Sequence, residues 1–190
     1  MQKHKVLQRS PAPSASSSVV GSSARQRGTA PSRLLNESFD LQLDEASSQL
    51  SDVTDFSVIG ILGMQGVGKS TIMSLLAGAR WDEEGFMLSD APFLPQSDES
   101  ILHAVHQTSG IDLMVTGERI LLLDTQPLLS ASVLLELQRR EASLPNEVQT
   151  HENLHELQTL RLAMFVLSSC HLVVCVQDES LVRCIPSLIA

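Results

Sequence analysis

Phe56-Ser57-Val58-Ile59-Gly60-Ile61-Leu62-Gly63-Met64-Gln65-Gly66-Val67-Gly68-Lys69-Ser70-Thr71 runs from an apolar strand straight into a glycine-rich turn and then into a helical pattern. Within it, Gly63-x-x-x-x-Gly68-Lys69-Ser70 is the full phosphate-cradling P-loop spelling in the context that spelling requires. Gly63, Gly66 and Gly68 lack Cβ atoms, so successive backbone N–H groups of Gln65 to Thr71 can turn inward as an anion nest. The helix starting near Lys69 adds the positive end of its dipole. Lys69 would reach the β- and γ-phosphates, and the Ser70 hydroxyl would take one position on an octahedral Mg²⁺. The plainer alternative is a glycine-rich turn that binds nothing, and a four-position match between strand and helix speaks against it. The expected ligand is ATP or GTP with Mg²⁺.

The charge distribution locates the domain. Residues 1–33 hold six Lys or Arg, no Asp or Glu, and a run of Ser, Pro and Ala, whereas the remaining 157 residues hold seven basic against all twenty-two acidic side chains. The first segment cannot bury enough apolar surface to offset its ordering entropy and reads as a disordered, solvated tail. Weak attraction to RNA or to a phosphorylated partner is the alternative for that tail. An organellar transit peptide is another, against which its Pro residues and missing amphipathic stripe weigh. The acidic remainder argues against a nucleic-acid-binding globular surface, and one Trp with no Tyr offers no stacking platform for bases. The apolar stretch Leu162 to Val176 is interrupted by Ser168, Ser169 and His171 and is too short to span a bilayer. Cys170, Cys175 and Cys184 read as reduced core thiols of a cytoplasmic, or also nuclear, protein. The Asn36-Glu37-Ser38 sequon would then go unused.

Residues 1–50 read as basic tail and acidic linker, with a marginal helix or docking segment over Leu34 to Leu50, and residues 51–190 as a partial G-like P-loop domain. Inside that domain the pattern predicts a strand over 56–62 and a helix over 69–79 with Ile72, Leu75, Leu76 and Ala79 on one face. A long polar loop over 80–109 follows. Ile111 to Val115 and Ile120 to Asp124 read as a hairpin, followed by helices over 130–140 and 152–167 and a strand over 172–176. Strands alternating with helices around a P-loop predict an α/β fold, a mostly parallel sheet with helices on both faces. Asp124, ending an apolar strand, has the position from which P-loop proteins hold Mg²⁺, and Thr108 stands where a switch threonine would reach the metal. An Asp after a strand also commonly caps the next helix.

Three stretches together are similar to the family of the nonsense-mediated mRNA decay factor SMG nine: Val58 to Ser70, Gln107-Thr108-Ser109-Gly110-Ile111-Asp112, and Ile120 to Ser130 with its Asp124-Thr125-Gln126-Pro127. The resemblance runs from about Asp52 to Asp178. It implies a G-like domain that pairs with an SMG eight relative, the pair restraining the SMG one kinase, which phosphorylates the UPF one helicase in messenger RNA surveillance. A hydrolysing switch carries Asp-x-x-Gly followed by a water-orienting Gln, but here Pro127 replaces the Gly and Leu128 the Gln. Proline has no N–H for a γ-phosphate and leucine cannot orient water, so little or no hydrolysis is expected. A guanine-reading motif would follow Val176, and only a short segment remains, so the domain reads as incomplete at its C-terminus. An active ATPase or GTPase switch is the alternative. A distant one is a zinc hydrolase, since His151-Glu152-Asn153-Leu154-His155 spells H-E-x-x-H and Glu179 could supply a third ligand. The expectation against it is a solvent-facing helix start, with His103 and His106 likewise solvated.

Overall fold

The computed structural model describes residues 30–50, 55–83, 88–140, 144–146 and 148–178. Its centre is a five-stranded sheet in the order β1 (Ser32–Leu35), β5 (Ile111–Val115), β6 (Ile120–Thr125), β2 (Ser57–Gly63), β7 (Leu172–Val176). β2 pairs parallel to both β6 and β7, while β5 pairs antiparallel to β6 and to β1. Four strands therefore point one way and β5 opposes them, giving a mixed, mostly parallel α/β sheet.

Strand alternation sorts the apolar residues into two cores. Val58, Leu62, Ile111, Leu113, Leu121 and Leu123 face Leu162 and Val166 of α5 (His151–Ser169). Ile61, Met114 and Leu122 face the other way, onto Met73 of α2 (Lys69–Leu76) and onto Phe93. Successive strand residues point to opposite faces, so near-continuous apolar runs such as Ile120-Leu121-Leu122-Leu123 are what a sheet covered on both sides requires. Helices do lie on both faces, as expected.

Four expectations are corrected. The inward face of α2 carries Lys69, Met73 and Ser74, while Leu75 and Leu76 are exposed. Lys69 must turn inward where the strand ends, and its i+4 neighbour Met73 follows it. The polar stretch after α2 contains a small hairpin of β3 (Arg80–Trp81) with β4 (Leu88–Ser89) and a short helix α3 (Asp98–Leu102). It is anchored where Ser74 Oγ donates to the Phe93 carbonyl (2.8 Å) and accepts from the Phe93 N–H (3.1 Å). Ser32 and Arg33, read as the end of the disordered tail, and Leu34 and Leu35, read as linker, form edge strand β1, while the helix read within Leu34 to Leu50 is present as α1 (Leu43–Leu50). Arg33 fastens β1 through Asp112 (Nε to Oδ1, 2.7 Å) and the Ser109 carbonyl. Finally, Cys175 is exposed and Cys170 half-buried, so Cys175 is no core thiol. The expected disorder of residues 1–29 lies outside the described residues, as do Cys184 and Glu179.

Candidate nucleotide and metal site

The turn after β2 places Gly66 at φ 79° and Gly68 at φ 85°, the left-handed region that side-chain-bearing residues avoid. Gly68 is the N-cap of α2 and has no side chain to satisfy the first N–H groups of the helix, which leaves them for an anion. Gly63 differs from the expectation: it stays in β2, where a Cβ would lie 2.4 Å from the Val176 carbonyl oxygen, so its missing side chain serves strand packing. Gln65, Gly66, Gly68, Lys69, Ser70 and Thr71 line one cavity of about 220 Å³ together with Thr108 and Pro127. Val67 does not line it and packs toward Gly63.

Lys69 is buried, and its ammonium donates to the Met64 carbonyl at 2.8 Å. Burial lowers its pKa to about 8, against the attraction of Asp124. An anion in the cavity would favour the charged form and relieve that cost. Behind the loop, Ser70 Oγ donates to Asp124 Oδ2 at 2.7 Å, Thr108 Oγ1 donates to the same oxygen at 3.0 Å, and the two hydroxyls stand 3.2 Å apart. All three predicted metal ligands thus meet at one point, from three separate segments. Asp124 is 1% exposed, and its other oxygen, Oδ1, is buried with no hydrogen-bond partner. Burial pushes this carboxyl up, opposed by the two hydroxyls and the Lys69 charge. A buried carboxylate with a free oxygen beside two hydroxyls is a hard-oxygen set that suits Mg²⁺. The residues present fit the ion and the phosphates it would accompany.

The segment after β6 behaves differently. Pro127 is buried at the cavity wall. Leu128 donates its N–H to the Gly63 carbonyl (3.0 Å) and packs its side chain against the α5-side core.

The H-E-x-x-H segment does open α5, with Thr150 as N-cap, but it is not solvent-facing throughout. His155 is buried with Nε2 unpartnered, while Glu152 is exposed and accepts from Gln138 (3.2 Å). Among the described residues no group of three His, Cys, Asp or Glu is placed to hold a metal. His106 is also buried, correcting the solvated reading: Nδ1 is 2.8 Å from Ser132 Oγ and Nε2 is 3.1 Å from Glu136. Burial lowers its pKa, with Glu136 opposing. Sequence reasoning missed Ser130 and Ser132, which both contact Gln65. A Ser-x-Ser before a helix signals only a cap.

No protein-family model matches the chain. Curated relatives do. The nonsense-mediated mRNA decay factor SMG9 of Xenopus tropicalis is 44% identical over 135 residues, covering 71% of this chain and 26% of that protein. The chain is a homologue of the SMG9 proteins. SMG9 of Salmo salar is 39% identical over 71% of this chain and 26% of its own length, and SMG9 of Caenorhabditis briggsae 34% over 77% and 36%. The chain therefore spans about a quarter to a third of the length of these SMG9 relatives. Among the described residues no helix is long and apolar enough to cross a membrane.

Proposed function

We propose that this chain is the nucleotide-holding part of a regulatory subunit in nonsense-mediated mRNA decay, binding ATP or GTP with Mg²⁺ and hydrolysing it little or not at all. One observation carries the reading: Ser70, Thr108 and Asp124 converge within 3.2 Å behind a loop whose two left-handed glycines open onto the cavity, beside the buried Lys69. Lys69 would hold phosphate charge, the backbone of the loop its oxygens, and Asp124 with the two hydroxyls the ion. When bound, the Mg²⁺ would neutralise phosphate charge. Weak hydrolysis follows from Pro127, which has no N–H to offer, and from Leu128, whose side chain is committed to the core.

The place in mRNA decay comes from the naming of the homologues as decay factors. An SMG eight-type partner and the SMG one kinase are proposed from the family resemblance, acting in the cytoplasm. Co-expression with an SMG eight-type subunit, followed by affinity capture and a phosphate-release assay, tests the reading. Partner capture with phosphate release at background supports it. Robust turnover that disappears in Lys69→Ala replaces it with an active switch.

A further inference from the structure

The side chain of Gln65 joins three segments. Its Oε1 accepts from Ser130 Oγ at 2.7 Å, and Ser132 Oγ lies 2.9 Å from the same oxygen, with one proton to direct there or to His106 Nδ1. Its Nε2 donates to the Ala104 carbonyl at 3.1 Å. One sign of local cost accompanies these bonds. Ser130 is the N-cap of α4 (Ala131–Arg139) yet makes no capping bond, its hydroxyl being turned to Gln65. Ala104 sits at φ 53°, the left-handed position that follows the C-cap of α3, where its N–H donates to the Ile101 carbonyl (3.1 Å) and the Val105 N–H to the Ser100 carbonyl (2.8 Å), a Schellman cap. Side chains tie the segment that leaves this cap: Gln65 on the Ala104 carbonyl, Gln96 on the Val105 carbonyl (2.5 Å), Ser132 Oγ accepting from the His106 N–H (3.2 Å), and the His106 ring on Ser132 and Glu136. Two residues beyond His106, Thr108 reaches Asp124.

We infer that Gln65 is a positioning residue, a latch within the phosphate loop that holds residues 103–109, of which His106, Gln107 and Thr108 line the cavity, in place before any ligand enters. The position of this loop is then a property of the chain, and Gln65 sets how fast a nucleotide leaves. A domain latched in this way would present the same surface around α4 with and without its ligand. The effect on nucleotide rests on the function proposed above; the fastening of the loop does not.

The test compares the full chain with Gln65→Ala and Gln65→Glu. In Gln65→Glu the carboxylate could still accept from Ser130 and Ser132 but has no N–H for Ala104. Hydrogen exchange without nucleotide should rise about tenfold or more across 103–109 in Gln65→Ala, with β5 and β6 unchanged, and the rise in Gln65→Glu should be confined to 103–106. Dissociation of a fluorescent ATP or GTP analogue should accelerate about tenfold in Gln65→Ala. Unchanged exchange across 103–109 would overturn the latch whether or not nucleotide binds. Should Gln65→Ala fail to fold, unchanged exchange in Gln65→Glu would overturn it equally. A wild-type chain that binds no analogue, with exchange rising as expected, would overturn the nucleotide reading and leave the latch standing.

Discussion

The loop after β2 and the loop after β6 border the same cavity and have been put to different uses. In the first, Lys69 is buried at a desolvation cost that an anion in the cavity would relieve, and Ser70 turns to a carboxylate that keeps one oxygen free. In the second, the positions that would act on an attacking water are a proline without an N–H and a leucine packed into the core. Holding a nucleotide and hydrolysing it need different groups, and the proposed function rests on this difference between the two loops.

The largest effect should come from Lys69→Met. Nucleotide affinity, followed by calorimetric titration, should fall more than about a hundredfold, as expected for losing a charge-assisted phosphate contact. The ligand-free variant should nonetheless be more stable, by up to about 3 kcal/mol at neutral pH, because burial lowers Lys69 from 10.5 to about 8. The sign follows from proton binding: between about 8 and 10.5 the unfolded chain holds the proton that the folded chain has lost, so wild-type stability gains over that window as pH rises. Thermal melts from pH 7 to 10.5 should show that gain in the wild type and lack it in Lys69→Met.

Next is Asp124→Asn, which retains an acceptor for Ser70 and Thr108 but removes the charge. Adding Mg²⁺ should tighten nucleotide binding to the wild type by about tenfold or more and leave the variant nearly unaffected. Equal Mg²⁺ dependence in both would remove Asp124 from the metal site.

Pro127→Gly combined with Leu128→Gln attacks the comparison from the other side. Placing an amide where Leu128 packs should cost about 1–3 kcal/mol of stability, measured by urea denaturation, without bringing phosphate release above background. A clear gain in turnover would show that the second loop differs from a hydrolytic one by two side chains alone.

The smallest effect separates buried charge from metal binding. Asp112 stands opposite Asp124 in the hairpin register, and burial raises it to about 6 despite its ion pair with Arg33. A folded-state pKa above the unfolded 3.8 contributes stability that is complete below about 4 and is lost as pH rises through about 6. Because the side chain remains a quarter exposed, the expected loss is about 1–2 kcal/mol. Melting curves between pH 4 and 7 should contain this component in the wild type and not in Asp112→Asn.

Periodicity and spacing made much of this legible in advance. The apolar runs of β2, the β5–β6 hairpin and β7, and the helices α4 and α5, declare themselves locally, and Ser70, Thr108 and Asp124 were readable because they stand at a helix start, just before a strand and near a strand end. What remained hidden depends on distant contacts. Ser32–Leu35 is a strand only because Ile111 to Leu113 lies beside it, some 80 residues later. His155 and Gln158 share the buried stripe of α5 with Leu162 and Val166, so a spacing of three to four was present but polar residues concealed it. The fastening of Gln65 to Ser130, Ser132 and Ala104 has no local signature, since each partner is ordinary in its own segment.

The most direct measurement is chromatography of nucleotide released by denaturing the purified full chain after incubation with Mg²⁺ and either ATP or GTP, wild type beside Lys69→Ala. The expected result is intact triphosphate recovered from the wild type alone, with the retained base naming the ligand. No retained nucleotide, or diphosphate with stoichiometric phosphate release, would contradict the account.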